Sequence, residues 1–219
     1  MRRDELIGYY PRLFHMTGAG SWPSIGKHGL WTTERIVTTS CGGFDESVLF
    51  ERRPQRLTAT HPILGAVTIN DQAPLRLPFL EASLTDMSVR QWLTTLNDRA
   101  FFWLHDAKLN RLLGALRNRE REHDVLVVDT ASLLAAHSAQ IRLSPINSGA
   151  ALYPNAVARG STTFATVADY DFAERRRGRR IADAVAELAV LGGVPDIRAH
   201  VLHVERRRGV EVLRKYPIS

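Results

Sequence analysis

His15 and Thr17 stand two residues apart in the β-like run Leu13-Phe14-His15-Met16-Thr17, so on a strand they point to one side together. An imidazole and a hydroxyl aimed into one cleft offer hydrogen bonds to ribose hydroxyls or to an amide. Far along the chain, Glu187 opens a second apolar run, Glu187-Leu188-Ala189-Val190. A carboxylate there can move a proton or stabilise developing positive charge. Between them, Phe101-Phe102-Trp103 supplies an aromatic wall, and a later loop-rich stretch carries Asn147, Arg159 and Phe164, with Arg159 suited to a phosphate and Phe164 to stacking on a base. Each has a plainer reading. These are a strand histidine bonded inside the fold, a charged residue at a helix-to-strand boundary, and a polar lid with one buried phenylalanine.

The elements that must position these residues alternate between extended and helical character, with no repeat and no low-complexity linker. After the first strand comes Gly18-Ala19-Gly20, and then a short helix that Ser21 is placed to cap, with Pro23 in its first turn and Gly29 at its end. A β-like run spans 64–69, and Ser88 is expected to cap a helix carrying Val89, Trp92, Leu93 and Leu96 on one side. The aromatic strand covers 100–104. Asp106 is expected to cap the next helix, with Leu109, Leu112, Leu113 and Leu116 as its apolar stripe. A buried strand at 124–129, a helix with Leu133 and Leu134, and a strand at 141–143 follow. From 144 to 173 Gly, Pro, Asn and Ser accumulate, which reads as a long loop region. The final third is expected to hold a helix at 180–186, a strand at 187–190, a turn at 192–196 and a last strand near 201–204.

At 219 residues and 44% hydrophobic, the chain can bury one proper core, and a single domain over 1–219 is expected. No stretch approaches the roughly 20 apolar residues of a membrane span, and Met1-Arg2-Arg3-Asp4-Glu5 is not the start of a signal peptide, so a cytoplasmic protein without a membrane partner is expected. Cys41 is the only cysteine, which excludes an internal disulfide and a multi-cysteine zinc site. The net charge is +6 and the only lysines are Lys27, Lys108 and Lys215, so the basic character is almost wholly arginine, densest at Arg175 to Arg180. Arginine's planar fork suits phosphates, although a GC-rich genome that supplies Arg codons, or a solvated face, explains the same composition.

Metal hydrolysis is suggested by His105-Asp106, His123-Asp124 and the neighbouring His200 and His203. Strand positions three apart face opposite sides and no H-E-x-x-H helix exists, so no metal is expected. A Walker loop, a G-x-G-x-x-G turn after a strand and a G-x-S-x-G elbow are all missing from the sequence.

Leu13-Phe14-His15-Met16-Thr17, with Pro23-Ser24-Ile25 and His28-Gly29-Leu30, resembles the opening of DarT-type DNA ADP-ribosyltransferases, and more distantly that of the RNA 2′-phosphotransferases. Val185-Ala186-Glu187-Leu188-Ala189-Val190, followed by Val194-Pro195-Asp196-Ile197, is similar to the segment of those enzymes that begins with a catalytic glutamate. The whole chain also looks like an uncharacterised bacterial family with a shared Phe-Phe-Trp segment. The resemblance implies an α+β fold: a single ADP-ribosyltransferase-like domain with a central split, mainly antiparallel sheet flanked by helices. It implies NAD as co-substrate, with His15 and Thr17 holding the ribose and nicotinamide amide, Phe101 or Phe102 packing on the nicotinamide, and Glu187 catalytic. Trp103 competes for the aromatic place, where many relatives carry Tyr. Arg52, Arg53 and Arg56 compete for an arginine upstream of the central strand. The resemblance further implies a toxin acting on nucleic acid, DNA before RNA, through a recognition loop containing Asn147, Arg159 and Phe164, and a macrodomain antitoxin as partner. A protein or small-molecule acceptor, or a non-catalytic NAD- or nucleic-acid-binding module of the same fold, is the alternative.

Overall fold

The computed structural model describes residues 1–218. Its strands are β1 (Arg12–Gly18), β2 (Leu57–His61), β3 (Gly65–Ile69), β4 (Arg99–Trp103), β5 (Glu122–Asp129), β6 (Ile141–Ser144), β7 (Glu187–Leu191), β8 (Val201–Arg208) and β9 (Glu211–Pro217). Its helices are α1 (Arg3–Tyr9), α2 (Trp22–His28), α3 (Thr33–Thr38), α4 (Leu77–Ser83), α5 (Val89–Asn97), α6 (Asp106–Leu113), α7 (Thr130–His137), α8 (Phe172–Arg176) and α9 (Ile181–Ala184).

Seven strands form one sheet in the order β6-β7-β4-β1-β5-β8-β9, and neighbours run antiparallel throughout. The expected α+β architecture, a mainly antiparallel sheet flanked by helices, is therefore present. Beside the central β1, β5 carries the apolar run Val125–Val128 and is buried over His123–Val128, as a strand covered on both faces must be. β1 pairs with β5 along its whole length, but it meets β4 at a single register pair, Phe14 opposite Trp103. The sheet is thus split between β1 and β4.

Side-chain alternation gives the sheet two cores. Leu13, Phe102, Leu126, Leu188 and Val190 pack on one face against Leu6 of α1 and Leu133 and Leu134 of α7. On the other face Phe14, Met16, Trp103 and Val125 pack against Leu109 and Leu113 of α6, and Phe101 joins Trp92 and Leu93 of α5. α5 starts as the sequence predicts: Ser88 Oγ accepts from the Gln91 amide at 3.2 Å while Gln91 Oε1 accepts from the Ser88 amide at 2.7 Å, a reciprocal capping box.

Several expectations need correction. The run at 64–69 becomes β3, but it pairs with β2 in a separate two-stranded hairpin outside the main sheet. Ser21 makes no side-chain cap bond to α2, because its own backbone is already helical. His105, not Asp106, caps α6 by accepting from the Ala107 amide. Leu116 lies beyond the end of α6 and is 82% exposed, so the apolar stripe is shorter than predicted. The helix expected at 180–186 is only α9, preceded by α8 and a left-handed Gly178. The last strand is not the one near 201–204: β8 continues to Arg208, and β9 follows through Gly209 at φ 53°. The region 144–173 is anchored by isolated bridges from Leu75 to Ala151, Leu84 to Arg159 and Leu143 to Ala165.

Gly29 ends α2 as predicted, with φ 92°, and the next residue exchanges two backbone hydrogen bonds of 2.8 Å with Val194. A Cβ at Gly29 stands 2.6 Å from the Pro195 carbonyl oxygen. Gly29→Ala therefore combines a positive φ with a backbone clash, and is expected to lower stability by more than about 1 kcal/mol in urea unfolding. Among the described residues no helix is long and apolar enough to cross a membrane.

Candidate functional site

Glu187 is the first residue of β7, opposite Trp103 on β4 and Ser144 on β6. Its carboxylate is 5% exposed, and one oxygen accepts both the Ser148 amide at 3.0 Å and the Ser148 hydroxyl at 2.6 Å. Burial pushes this carboxyl up to about 7, against the pull of the Ser148 bonds and the Lys108 and Arg159 charges. Lys108, on α6, donates to the Val185 carbonyl at 3.1 Å, and burial lowers its own ammonium. Arg159 is buried and donates to the carbonyls of Ser148 (3.3 Å), Ala150 (2.9 Å) and Val157 (3.1 Å). The result is a carboxyl that titrates near neutrality under a loop and between two cations, which suits proton transfer.

His15 lies at the split. Its Nδ1 is 2.8 Å from the Phe101 carbonyl oxygen, so the imidazole bridges β1 and β4 where backbone pairing stops. A carbonyl only accepts, so Nδ1 carries the proton. Burial lowers the imidazole pKa, and the neutral ring leaves Nε2 as an acceptor. Thr17, half-buried, stands opposite Asp124 of β5. Asp124 in turn accepts from the Gly20 amide at 2.8 Å and from Arg206 Nε at 2.7 Å, which fixes the glycine turn after β1.

Register decides which of these residues meet. His15 and Thr17 lie on the face with Leu13 and Phe102, and the rings of His15 and Phe102 are 5.5 Å apart. Glu187 lies on the opposite face, with Trp103 and Phe101. Phe101 tilts against Phe164 at 6.1 Å, Phe164 stacks on Trp92 at 5.8 Å, and the Arg99 guanidinium sits 4.8 Å above Phe164. The structure therefore gathers Glu187, Arg159, Phe101 and Phe164 on one side and His15, Thr17 and Phe102 on the other. The hydrogen bond from His15 to the Phe101 carbonyl across the split links the two groups, while Glu187 stands one strand further away, on β7.

Arg52 donates to the Leu75 and Ala73 carbonyls, and Arg53 to those of Asn70 (3.2 Å) and Val48 (2.6 Å), with burial lowering the Arg53 guanidinium to about 10. Both brace the loop before β2. Arg56 is the one whose charge falls on His123, the residue opposite Gly18 at the end of β1. Asn147 is exposed, and Arg175 to Arg180 form an exposed basic run around α8. A cavity of about 970 Å³ is lined by Arg2, Arg3, Tyr170 and Phe172 among others, and by none of the candidate residues.

Three residues of the site escape sequence reasoning. Ser148, the direct partner of Glu187, sits 39 positions before it. Lys108 lies on a helix whose apolar stripe draws the attention, and Trp92 reads only as core. The neighbour Asn147-Ser148-Gly149 loop was the one available signal.

An antiparallel sheet split beside a histidine, with a buried carboxyl opening the strand two places away, defines the class of this α+β domain. The chain belongs to a family of unknown function, DUF7002, whose profile matches residues 11–201. That span holds His15, Thr17, Phe101, Phe102, Ser148, Arg159 and Glu187. No curated protein matches the chain.

Proposed function

We propose that this protein is an NAD-dependent ADP-ribosyltransferase that releases nicotinamide and transfers ADP-ribose to a nucleic acid, DNA before RNA. One observation carries the proposal: three adjacent strands bear His15 and Thr17 (β1), Phe101 and Phe102 (β4) and Glu187 (β7), and the sheet parts between the first two. The resemblance at the two ends of the chain supports the same assignment. NAD lies along the split, with the His15 Nε2 accepting from a ribose hydroxyl and an aromatic of β4 against the nicotinamide. The glycosidic C–N bond breaks with its electron pair leaving on nicotinamide. The acceptor oxygen or nitrogen bonds to the ribose C1′ and passes its proton to the Glu187 carboxylate. Substrate reaches Glu187 when the Ser148 loop lifts from it.

Arg159 and Phe164 brace the acceptor loop from within rather than reach outward, since the guanidinium is committed to three carbonyls. Asn147 and the run from Arg175 to Arg180 are the exposed groups that meet nucleic acid. A macrodomain antitoxin as partner belongs to the same proposal. A second reading, a non-catalytic module, is favoured by the way Ser148 and Arg159 are both bonded within the fold around Glu187.

Nicotinamide release by purified protein, with and without DNA or RNA, separates the two. Calorimetry with NAD tests the site: His15→Ala is expected to weaken binding about ten-fold, the worth of one hydrogen bond to the ligand. Unchanged affinity in a variant that melts like the parent removes His15 from the NAD site.

A further inference from the structure

We propose that His137, Asp196 and His200 form a binding site for a divalent transition ion of the zinc class. His137 ends α7, Asp196 closes the turn after β7, and His200 precedes β8. His200 is in a turn and not on a strand, so the alternation that sends strand neighbours to opposite faces does not govern it. Its partner is not His203 but a histidine 63 positions upstream, and no sequence spacing announces the trio.

The geometry suits an ion. One nitrogen or oxygen from each of the three residues lies within 4.8 Å of the others. Around tetrahedral zinc, with bonds of about 2.0–2.1 Å, ligand atoms stand roughly 3.3 Å apart. His200 Nε2 is already 3.2 Å from Asp196 Oδ2, while His137 Nε2, at 2.6 Å from Asp196 Oδ1, must draw back slightly. Asp196 is exposed enough to pivot. His200 is held from behind: its Nδ1 is 2.7 Å from Ser132 Oγ, and its carbonyl accepts from the Asp129 amide at 2.8 Å. A hydrogen bond on the far ring nitrogen is how proteins orient a metal-binding imidazole and choose its tautomer. Two imidazoles and one carboxylate select zinc-like ions over calcium or magnesium, and three protein ligands leave a fourth position for water. Bound there, the ion ties the end of α7 to the turn between β7 and β8. That side of the sheet is the one α7 covers, opposite the face of Glu187, and none of the three residues is among those assigned to NAD, so the two proposals can be tested separately.

The test uses full-length protein without a histidine tag, stripped with a chelator and titrated with Zn²⁺ by calorimetry, with Co²⁺ absorption as a probe of nitrogen–oxygen coordination. One equivalent is expected to bind and to raise the melting temperature. His137→Ala and Asp196→Asn are each expected to weaken Zn²⁺ binding by about ten-fold or more. Asp196→Asn keeps an oxygen for the imidazoles to bond, and a cooperative metal-free melt of each variant is checked before its titration. Absence of stoichiometric binding, or equal affinity in the His137→Ala/Asp196→Asn double variant, overturns the proposal.

Discussion

Replacing Glu187 by Gln is expected to lower nicotinamide release about 100- to 10,000-fold, the usual worth of a positioned acid–base group, and at the same time to make the protein more stable above pH 7. The two effects share one cause. Burial raises the carboxyl from 4.5 to about 7, so the folded state binds this proton more tightly than the unfolded chain does. Below pH 4.5 the group is protonated in both states and costs nothing. Between 4.5 and 7 the unfolded chain ionises first and stability falls; above 7 the penalty is complete, on the order of 3 kcal/mol. Gln carries no such penalty and still accepts from Ser148. Urea unfolding at pH 8 and pH 4 checks this: a gain at pH 8 that disappears at pH 4 is expected. Equal nicotinamide release by parent and variant would end the catalytic assignment, whereas the stability difference tests the buried carboxyl alone.

Arg207→Ala carries the largest expected loss of stability, about 3–5 kcal/mol at pH 7. The guanidinium is 7% exposed and donates to Glu205 (2.8 Å), Asn110 (2.9 Å) and Asp106 (3.2 Å), so it fastens α6 to β8. Burial works against ionised Glu205, yet bonds from Lys215, Arg207 and His203 hold its carboxyl down to about 2. Its contribution is therefore present above pH 4.5 and lost as pH falls through 2. Thermal melts from pH 7 to pH 2 are expected to show the gap between parent and Arg207→Ala narrowing with acidity. Arg207→Met with Glu205→Gln is expected to recover much of the loss, because no charge then stays buried without its partner. A single variant that melts like the parent at pH 7 would show that Lys215 and His203 suffice.

Strands and helices were legible where one local signal decides them. A short run with Leu13, Phe14 and Met16 before a glycine turn marks β1, the apolar run Val125–Val128 marks β5, and Ser88 marks the start of α5. β2 and β9 escaped because their signals are weak: β2 has only Leu57 and Ala59 to set against Thr58 and Thr60, and β9 is exposed along nearly its whole length. The residues of the candidate site were legible one at a time, but their grouping was not. Whether Glu187 shares a face with His15 depends on the register of β4 against both neighbours, and a shift of one residue reverses the answer. Contacts such as Ser148 to Glu187 join segments that local chemistry never connects. His137, Asp196 and His200 likewise come from a helix end and two turns, whose meeting is a product of packing alone.

The seam between β1 and β4 also divides the sheet mechanically. Strand pairing is extensive through β6, β7 and β4, and again through β1, β5, β8 and β9 with register shifts only at Val127/Val128 and Arg206/Arg207, while one register pair and one imidazole hydrogen bond cross between the two sets. Cooperativity carried by a ladder stops where the ladder stops. The two half-sheets are therefore held together across the seam by a shared core, Leu13 and Leu126 with Phe102 and Leu188, more than by backbone bonds, and a ligand lying along the seam would supply the cross-links that the backbone omits.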